Sequence, residues 1–256
     1  MIHSDSTMPR TFFIVLVGPT AVGKTALSIQ LAQALHAEIV SADSVQVYKR
    51  LDIGSAKPTI AERQDVPHHM IDRYQPDDSC SAGRYQQDAR HCISEIISHG
   101  RIPLVVGGTG LYVHALTYDV DFSGRAGESE QRRKLQALAA AHGSAWLHAL
   151  LSEKWPERAQ KIHPNDTLRI VRALEIVSGE GDQPAQYDFR KPLQGVDVLM
   201  LGLSMERKAL YKRINQRVEN MLEAGLVAEV DGLLKSGIDP SLPSMQGLGY
   251  KEIAEH

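Results

Sequence analysis

The stretch Gly18-Pro19-Thr20-Ala21-Val22-Gly23-Lys24-Thr25 constrains the fold more than any other part of the sequence. It meets the phosphate-loop pattern G-x-x-x-x-G-K-[ST] at every fixed position. The residues on either side fit that pattern as well. Phe12 to Val17 is a short apolar run, the signature of a buried strand. Lys24 to Leu35 repeats apolar residues at helical spacing through Ala26, Leu27, Leu31 and Leu35. A strand, a glycine loop and a helix N-terminus form an anion cradle, because loop N–H groups and the positive helix end converge on phosphate oxygens. Lys24 is then expected to reach the outer phosphates and the Thr25 hydroxyl to hold Mg²⁺. A chance match on a structural turn is the bland alternative, and the strand and helix in register argue against it.

The rest of the sequence narrows the class. Lys and Arg number 28 against 31 Asp and Glu, a net charge of −3, which disfavours a generally basic nucleic-acid binder but allows a local basic face. Cys80 and Cys92 lack zinc-site spacing, and nothing suggests a disulfide framework, so a reduced, cytosolic protein is expected. No apolar run approaches the length of a membrane span. Met1 to Thr11 is polar and has no signal-peptide core.

In chain order, Glu38 to Ser41 reads as a second strand, with Asp43 and Ser44 just past its carboxyl end. Ligands of open α/β sheets bind at that rim, which places Asp43 in a crevice shared with the phosphate loop. A turn or cap role is the alternative for an Asp there. Gln46 to Pro58 is polar and loop-rich. His68 and His69 are adjacent and have no evident third ligand, so a structural role is expected rather than a metal site. Ser81 to His99 reads as a helix stopped by Gly100. Ile102 to Val106 is a third buried strand. It runs into Gly107-Gly108-Thr109-Gly110, where three glycines in four residues allow close approach of a ligand.

From about Asp119 to Gln194 the strand-like runs vanish. Helices are expected over Arg132–His142, Ser144–Glu153 and Asp166–Ser178, with Gly143 and Gly179 as stops. This reads as a helical insert, 119–194, within an α/β core formed by 1–118 and 195–256. Its basic clusters (Arg125, Arg132, Arg133 and Lys134; Lys154, Arg158 and Lys161; Arg169 and Arg172) suit either a solvated face or a phosphate backbone. Val196 to Leu203 rejoins the sheet. Ser204 is expected to cap a helix from Met205 to Ala224 that carries Arg213 and Arg217 one turn apart, and spacing leaves open whether they face solvent or phosphate. Leu226 to Lys235 follows as another helix.

Several stretches together resemble the tRNA dimethylallyltransferases. They are Gly18–Thr25, Asp43–Tyr48, Asp52–Pro58, Pro67–His69, Gly107–Tyr112, His163–Asp166, Arg169–Glu175 and Gly249–Glu252, in the family's order along nearly the whole chain. The resemblance implies a P-loop NTPase-like parallel sheet flanked by helices, with an inserted all-helical domain. It implies transfer of the dimethylallyl group of dimethylallyl diphosphate to N6 of the adenosine just 3′ of the anticodon of tRNA, without ATP. Gly18, Pro19, Thr20, Ala21, Val22, Gly23, Lys24 and Thr25 then hold the diphosphate, with Mg²⁺ on Thr25 and Arg217 assisting.

Asp43 becomes the general base, Ser44, Val45 and Gln46 line the adenine side, and Thr109 stands where base and diphosphate meet. The tRNA grip maps onto Leu168, Arg169, Ile170, Val171 and Arg172, onto Arg132, and onto Gln246, Gly247, Leu248, Gly249, Tyr250 and Lys251. Family members continue past Glu252 with a basic helical region. This sequence stops at His256, as a shortened chain would, a departure that touches the tRNA grip and leaves the diphosphate site intact. With no appended zinc finger, the resemblance is to the bacterial type; a monomer is expected, although the sequence itself carries no sign of oligomeric state.

Three rivals are distinct in kind. A small-molecule kinase of this fold also places an Asp after the second strand, but Ile102–Val106 ends in glycines where a Walker-B Asp belongs. An isopentenyl transferase of free AMP or ADP has no use for a stem-loop grip. A non-enzymatic tRNA binder suits the basic insert but leaves the rim of Lys24, Thr25, Asp43 and Thr109 without purpose. No Asn-Lys-x-Asp guanine-reading motif occurs.

Overall fold

The computed structural model describes residues 10–120, 130–178 and 191–256; Arg125 and the expected helix stop Gly179 lie outside them. The elements run β1 (Thr11–Val17), α1 (Lys24–Leu35), β2 (Ala37–Ala42), α2 (Ile60–Arg63), β3 (His68–His69), α3 (Ala82–Ser98), β4 (Ile102–Gly107), α4 (Gly110–Thr117), α5 (Glu130–His142), α6 (Ser144–Lys154), α7 (Pro156–Ala159) and α8 (Thr167–Ser178). They continue with β5 (Val196–Gly202), α9 (Arg207–Glu223), α10 (Leu226–Lys235), a 3₁₀ turn (Pro243–Gln246) and α11 (Tyr250–Ala254). The chain forms two compact units, one from Met1–Asp119 with Phe189–His256 and one from Val120–Asp188. Among the described residues no helix is long and apolar enough to cross a membrane.

The first unit is built on one sheet of order β3-β2-β4-β1-β5, with every pairing parallel. Four consecutive residues of β1, Phe13 to Leu16, are buried, as a strand covered on both faces requires. Strand alternation splits them between two cores. Phe13 and Val15 join Val40, Val105 and the α3 residues Tyr85, Ala89, Ile93 and Ile96 on one side. Ile14 and Leu16 join Ile39, Leu104 and the α1 residues Ile29 and Ala32 on the other.

The topology fixes the site. Because β4 lies between β1 and β2 in the sheet, the loop after β1 and the turn after β2 flank the tip of β4. That crevice is the switch point where such sheets bind ligands. Gly107 closes it tightly. A Cβ there would come within 2.1 Å of the Ala42 carbonyl oxygen, so only glycine lets β4 end this near β2. Ile102 to Val106 is the fourth strand in sequence order and not the third, because His68 and His69 pair with Ile39 and Val40 as a two-residue strand. Each histidine ring has a partner within the fold. A His68 ring nitrogen meets the Val66 carbonyl at 2.8 Å and His69 meets Glu38 at 2.7 Å.

Helix α9 starts later than the sequence suggests. Its cap is Glu206, whose carboxylate accepts from the Lys208 and Ala209 N–H groups, and Ser204 lies outside. The two carboxylate oxygens each take one of the free N–H groups of the first turn. No residue of α9 is fully buried; Leu210, Ile214, Arg217 and Met221, at helical spacing, are its more sheltered stripe.

The second unit packs α5, α6, α7 and α8 around Leu135, Leu147, Leu151, Ile162, Ile170, Val171 and Leu174. Ile170 is 0% and Val171 3% exposed, so their side chains present nothing to a partner, contrary to the RNA-contact reading. On α8 the neighbouring Leu168 and Arg169 face outward, Leu168 at 77% exposure. Much of the basic character is paired. Arg132 meets Glu175 at 2.8 Å, Arg172 meets the same carboxylate at 3.4 Å, Arg169 meets Asp166, and Lys134 meets Glu130.

Candidate active site

A pocket of about 410 Å³ opens at the switch point. Thr20, Ala21, Gly23, Lys24 and Thr25 form one wall, Asp43, Gln46 and Ala56 a second, and Arg213, Gln216, Arg217 and Asn220 of α9 a third. Three cationic side chains thus share one cavity with a single carboxylate, an arrangement that attracts an anion with more than one negative charge. A half-buried Arg within the sheltered stripe of a helix is costly unless something charged meets it. Burial lowers the Arg217 guanidinium from its ordinary value and Asp43 opposes that shift. Burial likewise lowers the Lys24 ammonium, with Asp43 raising it and Arg217 lowering it further. The three groups therefore sense one another across the cavity.

Lys24 lines the pocket and is also tied to its own loop. Its ammonium donates to the Gly18 and Pro19 carbonyls, both at 2.9 Å. The Thr25 hydroxyl lines the pocket and takes no hydrogen bond among the described residues.

Asp43 serves as both a turn residue and a pocket residue. Its Oδ1 accepts from the Val45 and Gln46 N–H groups at 2.9 and 3.2 Å, the local turn expected of an Asp just past a strand. Its Oδ2 takes no hydrogen bond from the described residues. The turn is held from β4 as well. The Thr109 hydroxyl accepts from the Ser44 N–H at 3.0 Å and lies 3.4 Å from the Ser44 hydroxyl, and the Thr109 N–H donates to Ala42. Thr109, Ser44 and Val45 do not line the pocket; they stand behind the Asp43 wall. Gln46 does line it, held by Ser41 on one side and by the Ser55 and Ala56 carbonyls on the other.

The C-terminal segment separates by exposure. Leu248 is 86% exposed, whereas Tyr250 is 0% exposed, with its hydroxyl on Glu229. Tyr250 is a core residue and not a surface contact. Sequence reasoning left Arg213 open and passed over Gln216 and Asn220. The signal for them was there: residues 213, 217 and 220 fall at helical spacing on one face, continuous with a sheltered arginine.

The family model described as IPP transferase matches residues 46–256. The chain belongs to the IPP transferase family. Among relatives of this transferase, a tRNA dimethylallyltransferase of Bacillus subtilis (strain 168) is 46% identical over 241 residues, 94% of this chain and 76% of that protein. One from Exiguobacterium sp. is 47% identical, covering 96% of this chain and 78% of its own length. The crystal structure of a full-length tRNA isopentenylpyrophosphate transferase from Bacillus halodurans aligns with a TM-score of 0.67 at 41% identity, over 96% of this chain and 77% of that one. A eukaryotic dimethylallyltransferase acting on tRNA aligns with a TM-score of 0.76 at 31% identity, over 96% and 63%. The transferase accordingly has a P-loop NTPase-like α/β fold, with its pocket at the loop that defines that fold.

Proposed function

We propose that the pocket holds dimethylallyl diphosphate by its diphosphate and presents the allylic carbon to N6 of an adenosine in tRNA, the one just 3′ of the anticodon. The observation that carries this reading is the convergence of the phosphate loop, two α9 arginines and one carboxylate on a single cavity. The chemistry needs both. As the C–N bond forms and the C–O bond to diphosphate breaks, negative charge grows on the leaving group and the amine sheds a proton. Lys24, Arg213, Arg217 and the loop N–H groups neutralise the first. The open Oδ2 of Asp43 accepts the second, while Oδ1 holds the carboxylate in place.

The residues present fit a magnesium ion that is bound mostly through its substrate. Thr25 offers an unengaged hydroxyl, and no group of three or more His, Cys, Asp or Glu suited to a metal occurs among the described residues. Mg²⁺ typically takes one or two protein ligands plus phosphate oxygens and water. When bound, it contributes charge neutralisation at the diphosphate.

An adenosine in an anticodon loop must leave its stack to reach such a pocket, and Gln46 stands on the wall it would enter along. The outward residues of α8 (Leu168, Arg169 and Arg172) and of the Gln246–Lys251 segment are the proposed RNA contacts. Leu168 and Leu248 are 77% and 86% exposed, so both side chains are accessible to a partner. A kinase reading has no such support, because β4 ends at Gly107 and runs into Gly108 without a carboxylate.

The test is incubation with labelled dimethylallyl diphosphate and an anticodon stem-loop, beside AMP as acceptor and ATP as donor. Label is expected in the stem-loop only. Transfer to AMP alone, or ADP formation from ATP with a hydroxyl acceptor, would overturn the reading.

A further inference from the structure

We propose that Glu229 is a positioning residue for the acceptor side of this pocket, acting through the Asp52–Ala56 loop, and that Tyr250 locks it there. The inference rests on the function proposed above only in naming what the wall receives.

Glu229 lies on α10 and outside every motif that the sequence displays. Its carboxylate is saturated by four donors. Oε2 accepts from the Asp52 and Ile53 N–H groups at 3.1 and 2.8 Å. Oε1 accepts from the Gly54 N–H at 3.2 Å and the Tyr250 hydroxyl at 2.5 Å. Three consecutive backbone N–H groups aimed at one point form the kind of concavity that binds anions. Here the protein's own carboxylate fills it, from 175 to 177 residues away in the chain.

The loop it grips continues into the pocket. Ser55 and Ala56 offer their carbonyls to the Gln46 side-chain amide at 3.1 and 3.3 Å, and Gln46 and Ala56 line the wall beside Asp43. Glu229 is therefore two hydrogen-bonded steps from the wall. The fit allows no slack, since a Cβ on Gly54 would lie 2.5 Å from the Tyr250 ring. Buried Lys57 pins the loop as well, through Asp52, Asp72 and the Tyr48 carbonyl, while Glu229 alone takes the three consecutive N–H groups of Asp52, Ile53 and Gly54. Two stretches that carry the family resemblance, Asp52–Pro58 and Gly249–Glu252, thus meet on one residue that neither contains.

The experiment compares wild type, Glu229→Gln, Gln46→Ala and the double variant, with Tyr250→Phe as a gentler change. Gln at 229 replaces one acceptor oxygen by a donor that faces N–H groups, leaving the loop short of partners. Expected is a loss of about tenfold in kcat/KM for the stem-loop, the size of one charged hydrogen-bond set, with dimethylallyl diphosphate affinity within about twofold of wild type.

The two changes should not multiply, because both act through the same wall. Amide exchange should quicken at Asp52–Gly54 in Glu229→Gln and, less so, in Tyr250→Phe, with β1 and β4 unchanged. Multiplying effects, an equal fall in diphosphate affinity, or unaltered exchange in both variants would overturn the inference. If Glu229→Gln does not fold, Tyr250→Phe alone decides it by the same readouts. A wild type that transfers nothing would instead sink the proposed reaction, while the exchange result would still report on the latch.

Discussion

The Thr109 hydroxyl accepts a hydrogen bond from the Ser44 N–H at 3.0 Å and so ties the tip of β4 to the turn that carries Asp43. Thr109 does not touch the pocket itself. Thr109→Val should therefore lower transfer by about tenfold, the effect of losing one hydrogen bond that fixes a reacting group, with diphosphate affinity retained. Thr109→Ser should restore most of the rate. Single-turnover kinetics beside diphosphate titration checks both. A Val variant that loses diphosphate affinity would place the hydroxyl on the substrate instead.

Asp43→Asn keeps the turn acceptor and removes the base. Transfer should fall by about 10²- to 10⁴-fold, the range for a lost general base. Dimethylallyl diphosphate should bind as well or more tightly, since a carboxylate facing an anion has been neutralised. Calorimetric titration of the folded variant measures the second arm, and weakened binding would count against the assigned geometry.

Arg217→Ala should reduce the chemical step by about 10²- to 10³-fold, as removal of a donor to a developing anion does. Arg217→Lys should recover only part of this, because a point charge does not reproduce the guanidinium fork. If the rate holds and only KM for dimethylallyl diphosphate rises, Arg217 contributes ground-state binding alone.

Gly107→Ala forces a methyl to within 2.1 Å of the Ala42 carbonyl oxygen unless the strands part. A loss of roughly 2–4 kcal/mol in folding stability is expected, in the range of severe overpacking and backbone strain. Urea unfolding read by far-UV circular dichroism gives the value. A midpoint near wild type would show that β2 and β4 can separate at this point without penalty.

His68 supplies a pH dependence whose sign is determined. Burial lowers its pKa from the ordinary value of 6.5, with the Val66 carbonyl opposing and Arg63 adding to the shift. The unfolded chain thus binds the proton first. Stability should fall as pH drops below about 6.5 and level off once the folded form protonates too. Denaturation midpoints at pH 7 and pH 5.5 should differ more in wild type than in His68→Gln, and equal differences would remove His68 as the source.

The sheet was largely legible, because its strands are short, apolar and buried on both faces, patterns that survive without tertiary knowledge. Helix α10 was placed at its observed bounds, and Asp43 was placed at the right rim. What escaped has physical reasons. Strand β3 is two residues long, too short for any period, and exists only because β2 offers an edge. Helix α4 opens in a glycine cluster that reads as loop. The cap of α9 is Glu206, two residues after the expected Ser204, because the helix begins at Arg207 and the Glu206 carboxylate takes its first N–H groups. Tyr250, Ile170 and Val171 sit in stretches that contact RNA by resemblance, yet their side chains point into cores. A motif specifies a backbone segment and does not say which of its side chains face outward. Glu229 had no local signal at all, since its partners lie far away in sequence.

Helix α9 carries Arg217 where a fully apolar stripe would place another leucine, and none of its residues is fully buried. On the function proposed above, an anion entering the cavity would meet Arg213 and Arg217 and so add to the seating of α9. Occupancy and rigidity then become one variable: inorganic diphosphate should raise the melting temperature and slow amide exchange along α9 in proportion to saturation, while an isosteric neutral ligand should do neither. On the proposed function, the rigidity of α9 would then report whether the donor diphosphate is bound.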